Sequence, residues 1–295
     1  MAQETRVFEV EARDHARLRS ELEAAGLQSR SVPHAIFSFA SKEATATLYK
    51  SGKLVVQGPE IAMLLERLFP GASGPVNSAD LEDRLGSDEV GKGDYFGPVV
   101  VACAYVPPEE RERARKLGVT DSKNLADDSI LRIAGAISHF VPYELISLPP
   151  SEYNRRWESL RNINHLLAEL HAEAMVKLAA RLGKREVLLD KFADPTRLRI
   201  EVSKLGSDLD VVARTKAEAN VSVAAASILA REAFLEGLKS LSDEAGLDLP
   251  KGASDLVVTA ARKLVRIHGP AKLSQFAKVH FRTTERVLGN LPFSP

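Results

Sequence analysis

The sequence predicts an α/β chain in two units, a small α+β unit with an antiparallel sheet and then a larger α/β domain. Three observations predict this. Residues 1–69 read in the order β-α-β-β-β-α. PGASGPVNSAD, residues 70–80, is rich in Pro, Gly, Ser and Asn and reads as a linker. Across residues 81–295, near-continuous apolar runs alternate with helical stretches, as in strands buried on both faces and covered by helices.

Each element has its own reason. RVFEVEA alternates as a strand does. In ARLRSELEAAGL, Leu18, Leu22 and Ala25 share one helix face, and Gly26 offers a stop. HAIFSFA, TATLYK and KLVVQG read as three strands joined by Ser-Lys-Glu and Ser-Gly. EIAMLLERLF closes the unit, with Ile61, Leu64, Leu65 and Leu68 at helical spacing. With helices on one face, the other face of this sheet is free for Ser38, Tyr49, Lys50, Lys53 and Gln57. Beyond the linker, PVVVACAYV and REVLLD read as core strands, INHLLAELHAEAMVKLAARLG as a helix, and the Ala-rich VSVAAASILAREAFLEGLKSL as another. LDVVARTK lies between them, and the basic C-terminal segment is helical in part.

The bulk numbers set limits. A chain of 295 residues has room for two domains. Its 44% hydrophobic and 27% charged content is that of a globular protein rather than a disordered one. No apolar run is long enough to span a bilayer, and the N-terminus lacks the apolar stretch of a signal peptide. Cys103 stands alone, so no intrachain disulfide forms and a reducing cytoplasm is the expected setting. Forty basic and 40 acidic residues cancel, so any basic surface is local. One such stretch runs from Arg262 to Arg286, with Arg262, Lys263, Arg266, Lys272, Lys278, Arg282 and Arg286 against Glu285 alone. It reads as a solvated helical face or as a surface that tracks phosphates. No extra apolar stripe calls for a partner, so a monomer is expected.

The chemistry gathers in GSDEVGKGDYFG. The string is not a dinucleotide fingerprint, because Phe96 takes the third glycine position and a strand-like run follows. Asp88 and Glu89 stand just before buried apolar sequence, where unpaired carboxylates are costly. Neighbours on a regular strand point to opposite faces, so both serve one site only if the chain bends, which Gly86 and Gly91 permit. Asp190 is likewise delivered at the tip of REVLLD, and sites in α/β sheets collect at strand ends. Glu218 lies just before or within the first turn of a helix. Helix-dipole preference alone explains an acid there, but beside the other three it is a candidate fourth member. Converging carboxylates repel unless a cation sits among them, and no His-Cys cluster exists for zinc. Hard ions such as Mg²⁺ or Mn²⁺ suit oxygen ligands, and a pair of them roughly 3.5–4 Å apart clamps the oxygens of a phosphodiester under attack. The residues point to a metal-dependent phosphoryl-transfer enzyme.

Four blocks carry a resemblance. GSDEVGKGDYFGPVVVACAYV, GVTDSKNL, VLLDKFA and KAEANVSVAAASILARE resemble the signature of the type 2 ribonucleases H, in order and spacing, over nearly all of the chain after the linker. Within that family the chain most resembles ribonuclease HIII. The N-terminal unit, with LYKSGKLVVQG, is similar to the TATA-binding-protein-like substrate-binding domain of that group. Glu218 stands where ribonuclease HII has Asp, and the C-terminal block IHGPAKLSQFAKVHFRTTERVL lacks the tyrosine ribonuclease HII uses at a ribonucleotide–deoxyribonucleotide junction. The resemblance implies a ribonuclease H-like catalytic domain that cuts the RNA strand of RNA–DNA hybrids, leaving 5′-phosphate and 3′-hydroxyl ends. It implies Asp88, Glu89, Asp190 and Glu218 as ligands of two Mg²⁺ or Mn²⁺ ions, with Asp88 bridging. Gly91 and Gly93 leave backbone bare for the RNA 2′-hydroxyl, the group that separates RNA from DNA.

The resemblance departs at Lys92, where ribonuclease HIII is expected to carry a small polar residue and ribonuclease HII an Arg. Lys92 is expected on a phosphate next to the scissile one. Asp121 and Ser122 suit a helix cap, and the resemblance sets Ser122 and Lys123 near the substrate, as it sets Lys50 and Lys53 of the N-terminal unit. Tyr95 and Phe96 are expected to pack the loop, and Asp94 to serve its turn. Cys103 is expected as an inert core thiol and Trp157 as a core anchor. His165, His171, His268 and His280 show no metal-ligand spacing. Two other readings stay open: incision at single ribonucleotides embedded in DNA, and a catalytically idle hybrid-binding protein.

Overall fold

The computed structural model describes residues 4–10, 12–59, 61–69, 82–120, 122, 125–190, 195–215 and 217–289. Contacts divide the chain into Met1–Glu82 and Asp83–Pro295. The predicted linker, residues 70–80, and Lys123 lie outside the described residues.

The first unit is a five-stranded antiparallel sheet. Its strands are β1 (Glu4–Glu9), β2 (Gln28–Ser29), β3 (Ala35–Ala40), β4 (Thr45–Tyr49) and β5 (Lys53–Gly58), in the spatial order β1-β5-β4-β3-β2. Helices α1 (His15–Ala24) and α2 (Ala62–Leu68) share one core with it. The alternation decides the inner face: Phe39, Ala46, Leu48, Leu54 and Val56 pack against Leu18, Leu22, Leu65 and Leu68. The sequence reading lacked β2, because two polar residues carry no period. On the opposite face Ser38 is not free, as expected, but buried: its hydroxyl shares a 2.7 Å hydrogen bond with Thr47 and accepts one from Arg30. Lys50 sits in the β4–β5 turn and Lys53 opens β5, so both are exposed at one end of the sheet.

The second unit is a mixed sheet between two helical layers. Its strands are β6 (Leu85–Val90), β7 (Val99–Ala104), β8 (Tyr143–Leu148), β9 (Glu186–Asp190) and β10 (Asp210–Arg214), in the order β10-β9-β6-β7-β8. β6 runs antiparallel to β7 and parallel to β9. The helices are α3 (Arg111–Lys116), α4 (Asp127–Ile137), α5 (Pro150–Leu160), α6 (Ile163–Leu182), α7 (Pro195–Lys204), α8 (Val221–Ala245), α9 (Asp255–His268), α10 (Leu273–Phe276) and α11 (Arg282–Leu288). β7 shows why its run is continuously apolar. Val100, Ala102 and Ala104 belong to a core with α4, α8 and α9, while Val99, Val101 and Cys103 belong to one with α6. Cys103 is buried, and burial raises its thiol pKa, as an inert core thiol requires.

Gly86 does not bend the chain. It sits in the regular ladder, opposite Ala104, and a Cβ there would meet the backbone of Ser222 and Val223 at 2.1–2.2 Å. The missing side chain lets α8 lie directly on β6, helped by the small residues of its first turns. Gly86→Ala is expected to cost at least about 3 kcal/mol, read as a lowered urea midpoint; an unchanged midpoint would mean that α8 can back away. In the basic segment, Lys278 is buried and so cannot belong to a phosphate-tracking surface, while Arg286 pairs with Asp255. Trp157 packs at the rim of the α6-side core, with its ring 3.7 Å from that of His280.

Candidate active site

The acids stand on a strand without a break. The β6–β7 ladder continues through Asp88↔Ala102, Glu89↔Val101 and Val90↔Val100. LGSDEV escaped a strand reading because three polar residues take places where apolar ones would show the period. Alternation then separates the neighbours. Ser87 and Glu89 face α6, where both bond His171, and Asp88 faces α8, where Ser227 bonds it.

They nevertheless reach one cavity, of about 410 Å³, because β9 ends there. The β6–β9 pairing stops at Ser87↔Leu189, so the next step of the parallel register brings Asp88 and Asp190 side by side as the strands part. Asp88, Glu89 and Asp190 line this cavity with Lys92, Asp94, Ser122, Ser227, Arg231 and Lys251. Glu218 does not. It lies in the 3-10 turn Ala217–Ala219, packed on the side of β9 that carries Leu188, and its Oε2 is buried with no hydrogen-bond partner among the described residues. Among the described residues, no three acids or histidines stand in a ready metal-holding group.

Glu89 shows why. Its side chain is 6% exposed, Lys92 Nζ donates to Oε1 at 2.6 Å, and His171 Nε2 lies 3.2 Å from Oε2. Burial raises the Glu89 pKa, but His171 and Lys92 outweigh it and the net shift is downward. Asp88 goes the other way. Burial, then repulsion from Glu89, pushes its pKa up to about 6 against the hydrogen bond from Ser227. Ser122 is buried, lines the cavity and bonds Ser227 at 2.6 Å, so it also supports Asp88 through Ser227. The donor set fits a hard divalent ion. It is made of carboxylates, one of them destabilised by its neighbour, and Glu218 before α8 carries a buried carboxylate oxygen unpartnered among the described residues.

The glycine loop follows directly. Gly91 has φ +92°, and a Cβ there would lie 2.2 Å from the carbonyl oxygen of Pro98, so the fold itself requires this glycine. At Gly93 a Cβ would meet nothing within 4 Å among the described residues, which leaves open space for a close ligand approach. Tyr95 and Phe96 are fully buried and pack the loop, as expected. Sequence reasoning missed His171, a single polar side chain on the buried face of α6. It also missed Ser227 and Arg231, a polar pair at i and i+4 in an Ala-rich helix. Both signals were legible.

The chain resembles known proteins along its length. A family model described as ribonuclease HII matches residues 85–284, and one described as a domain of unknown function (DUF3378) matches residues 5–73. A protein of Protochlamydia amoebophila named ribonuclease HIII is 37% identical over 282 residues, covering 93% of this chain and 94% of the relative. One of Chlamydia trachomatis serovar L2, also named ribonuclease HIII, is 37% identical over 92% of this chain and 94% of its own length. The crystal structure of Bst-RNase HIII in complex with Mn²⁺ superimposes with a TM-score of 0.70 at 35% identity, covering 97% of this chain and 98% of that one. The chain belongs to the ribonuclease HII family, in the group of relatives named ribonuclease HIII.

Proposed function

We propose that the chain is an endonuclease that hydrolyses the RNA strand of RNA–DNA hybrids with two Mg²⁺ or Mn²⁺ ions, leaving 5′-phosphate and 3′-hydroxyl ends. The observation that carries this is the meeting of Asp88, Glu89 and Asp190 in one cavity beside Gly91, Lys92 and Gly93. Membership in the family, and the Mn²⁺ held by Bst-RNase HIII, support it. Asp88, Glu89, Asp190 and Glu218 would hold the ions. Bound there, the ions would supply Lewis-acid stabilisation of the attacking and leaving oxygens. Ser227 and His171 orient Asp88 and Glu89, each fixing one carboxylate on its own face of β6. The bare backbone at Gly93 lets the RNA strand approach closely enough for a 2′-hydroxyl to be read. Lys92 is the loop's cation and suits a phosphate next to the scissile one. The N-terminal unit adds grip on the hybrid, with Lys50 and Lys53 at its sheet end. A second reading, incision at a single embedded ribonucleotide, is favoured by Lys92 alone.

The test is cleavage of two end-labelled duplexes, a full hybrid and a DNA with one ribonucleotide, in Mg²⁺ and then Mn²⁺. Cutting of the hybrid alone supports the proposal. Efficient cutting of the single ribonucleotide favours the second reading, and cutting of neither leaves only hybrid binding. His171→Ala is expected to weaken Mn²⁺ binding by about 10–100-fold in calorimetry, because it frees a carboxylate that His171 now orients. Unchanged affinity would mean that Glu89 needs no such support.

A further inference from the structure

Lys278 is a fully buried ammonium in the segment between α10 and α11. Its Nζ donates to the backbone carbonyls of Gly97 at 2.6 Å, Asp94 at 2.8 Å and Phe96 at 3.4 Å. Three N–H donors thus meet three carbonyls of one loop. The backbone of the same segment reinforces this: Lys278 N donates to the Tyr95 carbonyl at 2.8 Å, and Ala277 bridges to Phe96. Burying an ammonium is costly, and its pKa falls to about 7 with Asp94 opposing the fall. An apolar side chain would pack there without that cost, but it would leave inward carbonyls without donors. The clamped residues begin at Asp94, which lines the cavity and directly follows Gly93.

We propose that Lys278 is a positioning residue that clamps residues 94–97 from behind, so that Gly91, Lys92 and Gly93 stay in register with Asp88 and Glu89 for the RNA strand. This rests on the functional reading above. The ligating acids sit on β6, on β9 and before α8, outside the clamp's reach. The loop keeps a second anchor, since Gly252 N donates to Asp94 Oδ1 and Tyr95 N to the Gly252 carbonyl. Loss of the clamp therefore loosens the loop without removing it.

Lys278→Met is tested for its melting temperature, for Mn²⁺ affinity by calorimetry without substrate, and for KM and kcat on a labelled hybrid. We expect a folded protein with Mn²⁺ affinity like wild type and a KM raised by about ten- to a hundredfold, with a smaller change in kcat. Lys278→Gln, which keeps an amide donor, is expected between the two. A Lys278→Met KM equal to wild type overturns the proposal. So does a parallel loss of Mn²⁺ affinity, which would mean a general collapse of the site. If neither variant folds, Lys278 is structural only and the positioning role is refuted. A wild type that does not cut hybrid refutes the functional reading instead.

Discussion

Asp88→Asn is expected to give a folded protein that cuts hybrid at least about a thousandfold more slowly, an increase of about 4 kcal/mol in the barrier. Asp88 stands where β6 and β9 part, beside Asp190 on one side and next to Glu89 on the other. An amide keeps the shape and still accepts the Ser227 hydrogen bond, but it brings no charge to hold a cation. Without divalent ions the same change is expected to stabilise. The Asp88 pKa lies near 6 in the folded protein because of burial and then the Glu89 charge, against 3.8 in the unfolded chain. The folded state therefore binds the proton more readily, and the cost of a charged Asp88 is fully present above about pH 6. It fades as pH falls from about 6 toward 4. In chelator at pH 7, the Asn variant should be more stable in urea by up to about 3 kcal/mol, and the gap should close near pH 4. Loss of cleavage with this gain would mark Asp88 as charged for function at the expense of stability. An active variant would remove Asp88 from the site.

Deleting residues 1–75 is expected to raise KM for the hybrid by about ten- to a hundredfold and to change kcat by less than about threefold. The N-terminal unit has its own core, from Phe8 to Leu68, and none of the acids or the glycine loop lies within it. On the proposed function its contribution would be a second grip on the same duplex, which would raise the effective concentration of the catalytic unit there. The difference from the full chain should shrink as salt rises if the grip is on phosphates, because salt weakens that grip in the full chain too. Measurement of kcat and KM on one hybrid at two salt concentrations checks this. A fall in kcat with KM intact would make the unit part of the chemistry.

The elements that could be read from the sequence were those whose surroundings are uniform. β7 is buried on both faces, so its whole run is apolar, and α6 and α8 carry long apolar stripes. β6 was hidden because its residues answer to different neighbours: Gly86 to the α8 backbone, Ser87 and Glu89 to His171, and Asp88 to Ser227. For the same reason the two adjacent acids called for a bend that the chain does not make. A regular strand serves the site because it outlasts its parallel neighbour.

By itself the sequence determined the two-unit order, the long helices, the apolar core strands, Asp190 at a strand tip and the glycine loop after Asp88 and Glu89. Each is a local matter of period, charge and backbone freedom along a few residues. Only the tertiary structure decided that Asp88 meets Asp190, that Glu89 is held by Lys92 and His171, that Glu218 does not line the cavity, and that Lys278 is buried under the loop. Apart from the Glu89–Lys92 pair, three residues apart, these depend on register and packing between segments far apart in the chain. A period shows that a face is covered, but not which residue covers it.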